Sequence, residues 1–278
     1  MSTYAMTDIH GCYDELMEML DKIKFSSDDR LVIAGDYVDR GNQSYEMLEW
    51  ILSPPENVTL LKGNHDIEFA AYVKYLEQIE GQLVSKIESK IESKISDDNP
   101  EHTIRLIDIA EHLAPELEVY FDYYGTIHRL ALEHNITMTQ LKQWAKALIN
   151  LPYLFEEDIN GKHFIVVHAG YIEDAKLKKY LKANSIRRSS VEDFYIYARE
   201  EAFEVGGKKD SIIVAGHTPT IASGRYTYTG GTICKLYNEE INCTYYDIDC
   251  GAVFKVLGVG DGNMACLRLD DEKEFYLF

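Results

Sequence analysis

An α/β architecture of two sheets packed as a sandwich, flanked by helices and carrying one helical insertion, is the fold class this sequence predicts. Three observations carry the expectation. Short apolar runs alternate with amphipathic helical segments through the first third of the chain, the same pattern returns near Phe164 and Ile212, and the residues after Arg225 turn strand-like. One domain over residues 1–278, with a helical insertion at 67–150, accommodates all three.

The first unit is Thr3 to Met6, the cluster Asp8-Ile9-His10-Gly11, and helical spacing at Leu16, Leu20 and Ile23. The second is Leu31 to Ala34, the cluster Gly35-Asp36-Tyr37-Val38-Asp39-Arg40-Gly41, and a helix with Met47, Leu48, Ile51 and Leu52 on one face, stopped by Pro54-Pro55. Val58 to Leu61 then leads into Gly63-Asn64-His65-Asp66. Strands alternating with helices predict βαβ units around a mostly parallel sheet. Later, Phe164 to Val167 ends in His168-Ala169-Gly170, and Ile212 to Ala215 ends in Gly216-His217-Thr218. After Arg225, strands are expected at Tyr226–Thr229, Thr244–Ile248, Ala252–Leu257, Met264–Leu269 and Phe275–Phe278, forming a second, largely antiparallel sheet.

The insertion reads as helical and holds a Ser-Lys-Ile-Glu repeat from Ser85 that places Ile87, Ile91 and Ile95 on one stripe. The repeat carries no candidate ligand or proton donor, so the insertion is expected to cap the substrate and to take no part in bond breaking.

The formal charge of -19 excludes a general nucleic-acid binder, because phosphate backbones are held by surplus Lys and Arg. A phosphate substrate stays open, since bound divalent cations reverse the local sign of a site. Five cysteines without a CxxC pair suit a reduced, cytoplasmic setting. The N-terminus lacks the pattern of a secretory signal, and no apolar run is long enough to cross a bilayer, so no membrane partner is expected.

Five strand ends carry one narrow set of residues. In open α/β sheets ligands bind beyond the carboxyl ends of the strands, which makes Asp8, His10, Asp36, Asn64, His168 and His217 candidates for one crevice. Carboxylate and amide oxygens mixed with imidazoles suit Mn²⁺, Fe or Zn²⁺, whereas a structural zinc site would use thiolates. Six ligands are too many for one tetrahedral ion and suit two, with one bridging carboxylate; the central position of Asp36 makes it the expected bridge. Singly each residue has a plainer explanation: an Asp after a strand is often a helix cap, a strand-end His is often structural, and Asp39-Arg40-Gly41 can be a surface ion pair and a turn. Their order along the chain, each behind a strand, favours the joint reading.

Taken together, Asp8-Ile9-His10-Gly11, Gly35-Asp36-Tyr37-Val38-Asp39-Arg40-Gly41, Gly63-Asn64-His65-Asp66, His168-Ala169-Gly170 and Gly216-His217 resemble the ordered motifs of the phosphoprotein phosphatase branch of the calcineurin-like metallophosphoesterases. The likeness is greatest to its small bacterial and phage, lambda-type members. It covers roughly residues 3–64 and 164–254. The resemblance implies that Asp8, His10 and Asp36 hold a first metal and that Asp36, Asn64, His168 and His217 hold a second. It implies that His65 protonates the leaving oxygen, oriented by Asp39, and that Arg40, Asn64 and Arg199 bind phosphate oxygens. Two departures stand out. Thr7 replaces the usual Gly before the first Asp, and Asp66 replaces a usual Glu, as also occurs in symmetrical diadenosine tetraphosphatases. Those enzymes, however, typically lack the acid found here as Asp39.

The expected chemistry follows. Two cations about 3.5–4 Å apart clamp the attacking and leaving oxygens of an in-line displacement and supply hydroxide at neutral pH. A His paired with a carboxylate protonates the leaving group, and forked guanidinium donors match phosphate oxygens. The first expectation is a metal-dependent, Mn²⁺-preferring hydrolase of phosphoserine and phosphothreonine in proteins or of small phosphomonoesters. The alternative is a dinucleoside polyphosphate or RNA-end pyrophosphohydrolase. A non-catalytic scaffold is disfavoured because no candidate ligand is missing. His102, His112, His128, His134 and His163 follow no ligand spacing and are expected to be structural or surface residues; Asp247 and Asp249 are expected to face solvent.

Overall fold

The structure, a computed structural model, describes residues 1–91, 124–134, 136–184 and 190–278. Strands β1 (Thr3–Met6), β2 (Arg30–Ala34) and β3 (Val58–Leu61) are connected through helices α1 (Tyr13–Lys22) and α2 (Ser44–Leu52). Helix α3 (Asn64–Ile91) begins directly behind β3; α4 (Tyr124–His134) and α5 (Met138–Ile149) follow. Next come β4 (Leu154–Ile159), β5 (Lys162–Val167), α6 (Asp174–Ala183), α7 (Val191–Tyr197), α8 (Glu200–Glu204) and β6 (Ser211–Ala215). The chain ends with β7 (Cys234–Asn238), β8 (Cys243–Asp247), α9 (Ala252–Val256), β9 (Ala265–Arg268) and β10 (Lys273–Tyr276).

Two five-stranded mixed sheets result, ordered β10-β9-β1-β2-β3 and β4-β5-β6-β8-β7. The inner strands β1, β2, β5 and β6 are apolar on both faces because both faces are covered. Along β2, Val32 and Ala34 join Ala5 and Leu61 against Phe164, Val166, Ile212 and Val214 of the other sheet. The alternate residues Leu31 and Ile33 face Leu16, Met47, Phe69 and Trp144 of the helical layer. On the far side of the second sheet, Ile165, Val167 and Ile213 pack against Leu177, Phe194 and Ala202. The sandwich is therefore two sheets between two layers of helices.

Several expectations need correction. The second sheet is mixed: β5, β6 and β8 run parallel, with β4 and β7 antiparallel at its edges. The C-terminal hairpin β9–β10 joins the first sheet beside β1. Ala252–Val256 is a helix, not a strand, with Ala252 and Val253 adjacent and both buried, which an alternating strand facing solvent on one side does not allow. Tyr226–Thr229 is a turn region, and alternation there buries nothing because Tyr226 and Tyr228 both stand exposed. The strands Leu154–Ile159 and Cys234–Asn238 escape the sequence pattern because both are half-covered edges with charged residues in their middles. Asp247 and Asp249 are buried, since β8 is paired on both sides and its carboxyl end lies under the following loop. The side chains of Ile87, Ile91 and His128, and residues Ile95, His102 and His112, lie outside what the structure describes.

Candidate metal centre

All five anticipated strand ends converge, but from two sheets: β1, β2 and β3 bring Asp8, Asp36 and Asn64, and β5 and β6 bring His168 and His217. The loops approach closely. A Cβ on Gly63 would come within 2.2 Å of Asp36 Oδ1, and one on Gly216 within 2.4 Å of Asp8 Oδ2. Asp8, His10, Asp36, Asp39, Arg40 and His217 all have positive φ, between 46° and 73°. Such backbone costs about 1–3 kcal/mol per residue and persists where surrounding structure enforces it, most often at functional sites.

Asp36 is the hub. Its Oδ2 lies 3.6 Å from His10 Nε2, 3.5 Å from His168 Nε2 and 4.0 Å from His65 Nε2. The His65 backbone N–H, in the first turn of α3, donates to Asp36 Oδ1 at 3.0 Å, so the positive end of the helix dipole faces this carboxylate. Two sets of side chains offer ligand atoms close enough to share an ion: His10, Asp36 and His65, and Asp36, His168 and His217. Asp36 belongs to both. Asp8 sits beside the first set, with Oδ1 3.8 Å from His10 Nε2, while its Oδ2 accepts from the Thr7 hydroxyl at 2.6 Å and from the His217 N–H at 3.0 Å. Thr7 thus anchors the carboxylate that follows it. Asn64 Oδ1 lies 3.1 Å from His168 Nε2.

The donor chemistry fits divalent cations. His10 Nδ1 lies 2.9 Å from the Val38 carbonyl, and His168 Nδ1 2.8 Å from the Ala34 carbonyl. A carbonyl only accepts, so each Nδ1 carries the proton and each Nε2 turns a lone pair inward. Burial first, then nearby Arg40 and His65, hold His10 well below the usual imidazole range; burial holds His217 well below it too and lowers His168. All three therefore offer neutral imidazoles at pH 7. Burial, reinforced by the carboxylates of Asp8 and Asp66, pushes Asp36 well above the usual carboxylate range. A neighbouring cation reverses that penalty.

Asp39 and His65 form a buried pair, with Nδ1 of the ring 2.9 Å from Asp39 Oδ2. Arg40 directs its guanidinium at the Nε2 atoms of His10 (2.7 Å) and His65 (3.0 Å) from the exposed rim. Arg199, also exposed, donates to the Thr218 hydroxyl at 3.1 Å. The two arginines therefore flank the buried cluster.

Sequence patterns miss three contributors. Asp66 accepts from three backbone N–H groups, those of Asp36, Tyr37 and Gly63, and so ties the ends of β2 and β3 together. Thr126 of α4 donates to Asp39 Oδ1 at 2.5 Å, and Arg129 of the same helix donates to Asn42 Oδ1 and the Gly41 carbonyl. Helix α4 thus reaches the Asp39–His65 pair itself. Asp66 lies next to recognisable motif residues, but nothing in sequence marks Thr126 or Arg129. His134 stacks on Tyr45, and His163 lies between Asp158 and Glu156, both away from the cluster.

Among the described residues no helix is long and apolar enough to cross a membrane, and all five cysteines are free and buried. Similar curated proteins include symmetrical bis(5'-nucleosyl)-tetraphosphatases from Klebsiella pneumoniae, 46% identical over 72 residues, and from Buchnera aphidicola, 44% identical over 72 residues; each match covers 26% of either chain. One from Vibrio campbellii is 40% identical over 81 residues, 29% of this chain and 30% of that protein. The matches thus span between a quarter and a third of those relatives' length. A protein serine/threonine phosphatase from Saccharomyces cerevisiae superposes over 100% of this chain and 79% of its own, with 12% identity and a TM-score of 0.49, too remote to bear on function. The family described as calcineurin-like phosphoesterase matches residues 1–251. With that match extending over most of the sequence, the chain belongs to the calcineurin-like phosphoesterases, metal-dependent hydrolases of phosphate esters.

Proposed function

We propose that this chain hydrolyses a dinucleoside polyphosphate of the diadenosine tetraphosphate kind, at a centre of two divalent cations, with Mn²⁺ the expected metal. The observation that carries the substrate is the shared activity of the relatives, symmetrical bis(5'-nucleosyl)-tetraphosphatases at 40–46% identity over their matched residues. This moves the alternative of the sequence analysis ahead of its first expectation, a phosphoprotein.

In this reading Asp8, His10 and Asp36 hold one cation, and Asp36, Asn64, His168 and His217 the other, with Asp36 shared. When bound, the pair supplies Lewis acidity to the phosphoryl oxygens and makes hydroxide available at neutral pH. Arg40 and Arg199, both exposed beside the cluster, bind the non-bridging phosphate oxygens and orient the chain of phosphates. Asn64 holds the amide oxygen toward the second cation through its place at the start of α3. Water adds to one phosphorus, the bridging P–O bond breaks, and a nucleoside diphosphate departs as a stabilised anion.

A second reading is favoured by one observation. The Thr126–Asp39–His65 chain is a buried arrangement in which the carboxylate fixes the orientation of the His65 ring, with Nε2 turned toward the cluster. A departing nucleoside diphosphate has little need of a proton donor, whereas a serine or threonine alkoxide cannot leave without one. Phosphomonoesters, including phosphoserine and phosphothreonine, are therefore the second substrate class. Product analysis with Mn²⁺ separates the two. ADP from diadenosine tetraphosphate supports the first reading; orthophosphate from a phosphopeptide with no ADP formation replaces it with the second.

A further inference from the structure

Beside the metal centre lies an open cleft walled by α8, the carboxyl end of β8 and the loop after β6. Its lining includes Arg199, Phe203, Thr218, Arg225, Tyr226 and Asp247. Thr218 directly follows His217, and Arg199 donates to its hydroxyl, so the cleft opens from the rim where the second phosphate-binding arginine stands.

The floor is unusual. Asp247 is 1% exposed; its Oδ1 accepts from the Asp249 N–H, and its carboxyl faces the Thr227 hydroxyl, which partly offsets the upward push of burial and of Asp249 on its pKa. Beyond that approach, Asp247 Oδ2 and the Thr227 hydroxyl, both buried, make no well-aligned hydrogen bond among the described residues. A ligand that supplies better-placed donors and acceptors there offsets the cost of burying these groups. Asp247 stands at the end of a parallel strand, in register with Ala215 of β6, the position where α/β sheets bind ligands. At the mouth, Tyr226 is 61% exposed and Arg225 is held by Glu200.

We infer that this cleft is a nucleoside subsite: the base lies against Tyr226, and Asp247 with Thr227 meets its amine or ribose hydroxyls, while Arg199 carries the phosphate chain back to the metal centre. The chemistry of each wall matches one part of such a ligand. An exposed aromatic face stacks on a base, a buried carboxylate accepts from N–H or O–H groups, and guanidinium forks hold phosphates. The ligand rests on the dinucleotide reading for its physiological identity; the cleft's preference for a nucleoside does not.

The test uses the full chain with Mn²⁺ and measures inhibition of aryl phosphate hydrolysis by ADP and by methyl diphosphate, which bear the same phosphates and differ only in the nucleoside. ADP is expected to bind at least tenfold more tightly. Tyr226→Ala and Asp247→Asn are each expected to bring the ratio of the two inhibition constants at least threefold closer to one, and Tyr226, being exposed, can be changed without disturbing the core. Equal inhibition by the two diphosphates in the unaltered protein, or a ratio indifferent to Tyr226→Ala, overturns the subsite. If the ratio behaves as expected but diadenosine tetraphosphate is not cleaved, the subsite stands and the dinucleotide reading falls.

Discussion

Thr126, on helix α4, donates its hydroxyl to Asp39 Oδ1 at 2.5 Å, while the other oxygen of that carboxylate holds His65 Nδ1 at 2.9 Å. Both residues are buried, at 2% exposure each. Arg129, one turn further along the same helix, grips Gly41 and Asn42. Asp39 and Arg40 both hold left-handed backbone, with φ of 71° and 67°. Helix α4 therefore clamps the strained loop that carries the carboxylate and the guanidinium facing His65.

If Thr126 orients that carboxylate, Thr126→Ala should slow hydrolysis of esters with basic leaving groups by about tenfold, the value of one lost hydrogen bond to a charged group. Esters with acidic leaving groups should change much less. Thr126→Ser should restore the rate. A uniform loss across leaving groups, unrelieved by serine, would assign Thr126 to folding alone.

His65→Asn should lower kcat by about 10²–10⁴, the usual contribution of a general acid, and retain most metal binding. Its ring lies among the atoms of the first cation set, so its role is open to direct measurement. Metal content falling in step with activity would make His65 a ligand.

Chelator-treated protein should lose activity, and Mn²⁺ should restore it. Full turnover with elemental analysis showing no bound metal would remove the two-cation centre from the mechanism.

Cation binding should release protons. Burial keeps His10, His168 and His217 neutral at pH 7, so none of these imidazoles has a proton to give up there. Asp36 is pushed well above the usual carboxylate range by burial and by Asp8 and Asp66, and burial raises Asp66 to about 7. A proton held by these carboxyls must leave as the cation arrives, so apparent Mn²⁺ affinity should rise with pH between about 5 and 8. Calorimetry at pH 6 in buffers of low and high ionisation enthalpy should reveal the release; identical heats in both would contradict it.

Asp66→Ala should cost about 2–4 kcal/mol in urea unfolding, because three buried N–H groups lose their acceptor together. Asp66→Asn, which keeps one carbonyl oxygen, should cost less. An alanine variant as stable as the parent would mean that the loops around Asp36 and Gly63 do not depend on this knot.

The strands and helices nearest the metal centre are legible in sequence because a buried strand writes its burial into four or five consecutive residues. Thr3–Met6, Arg30–Ala34, Val58–Leu61 and Ser211–Ala215 are such runs, each followed by the polar residues that sit at its carboxyl end. Residue type then narrows the chemistry, since Asp, His and Asn behind successive strands together suit divalent cations such as Mn²⁺, Fe or Zn²⁺. Tertiary structure alone decided the rest. It divided the strands between two sheets, turned Asp247 from an assumed solvent face into the floor of a cleft, and placed Thr126 against Asp39 across 87 positions of chain. Periodicity reports whether a residue is covered, but the group that covers it is set by packing between segments distant in sequence. A buried polar contact made by one threonine leaves no period to read.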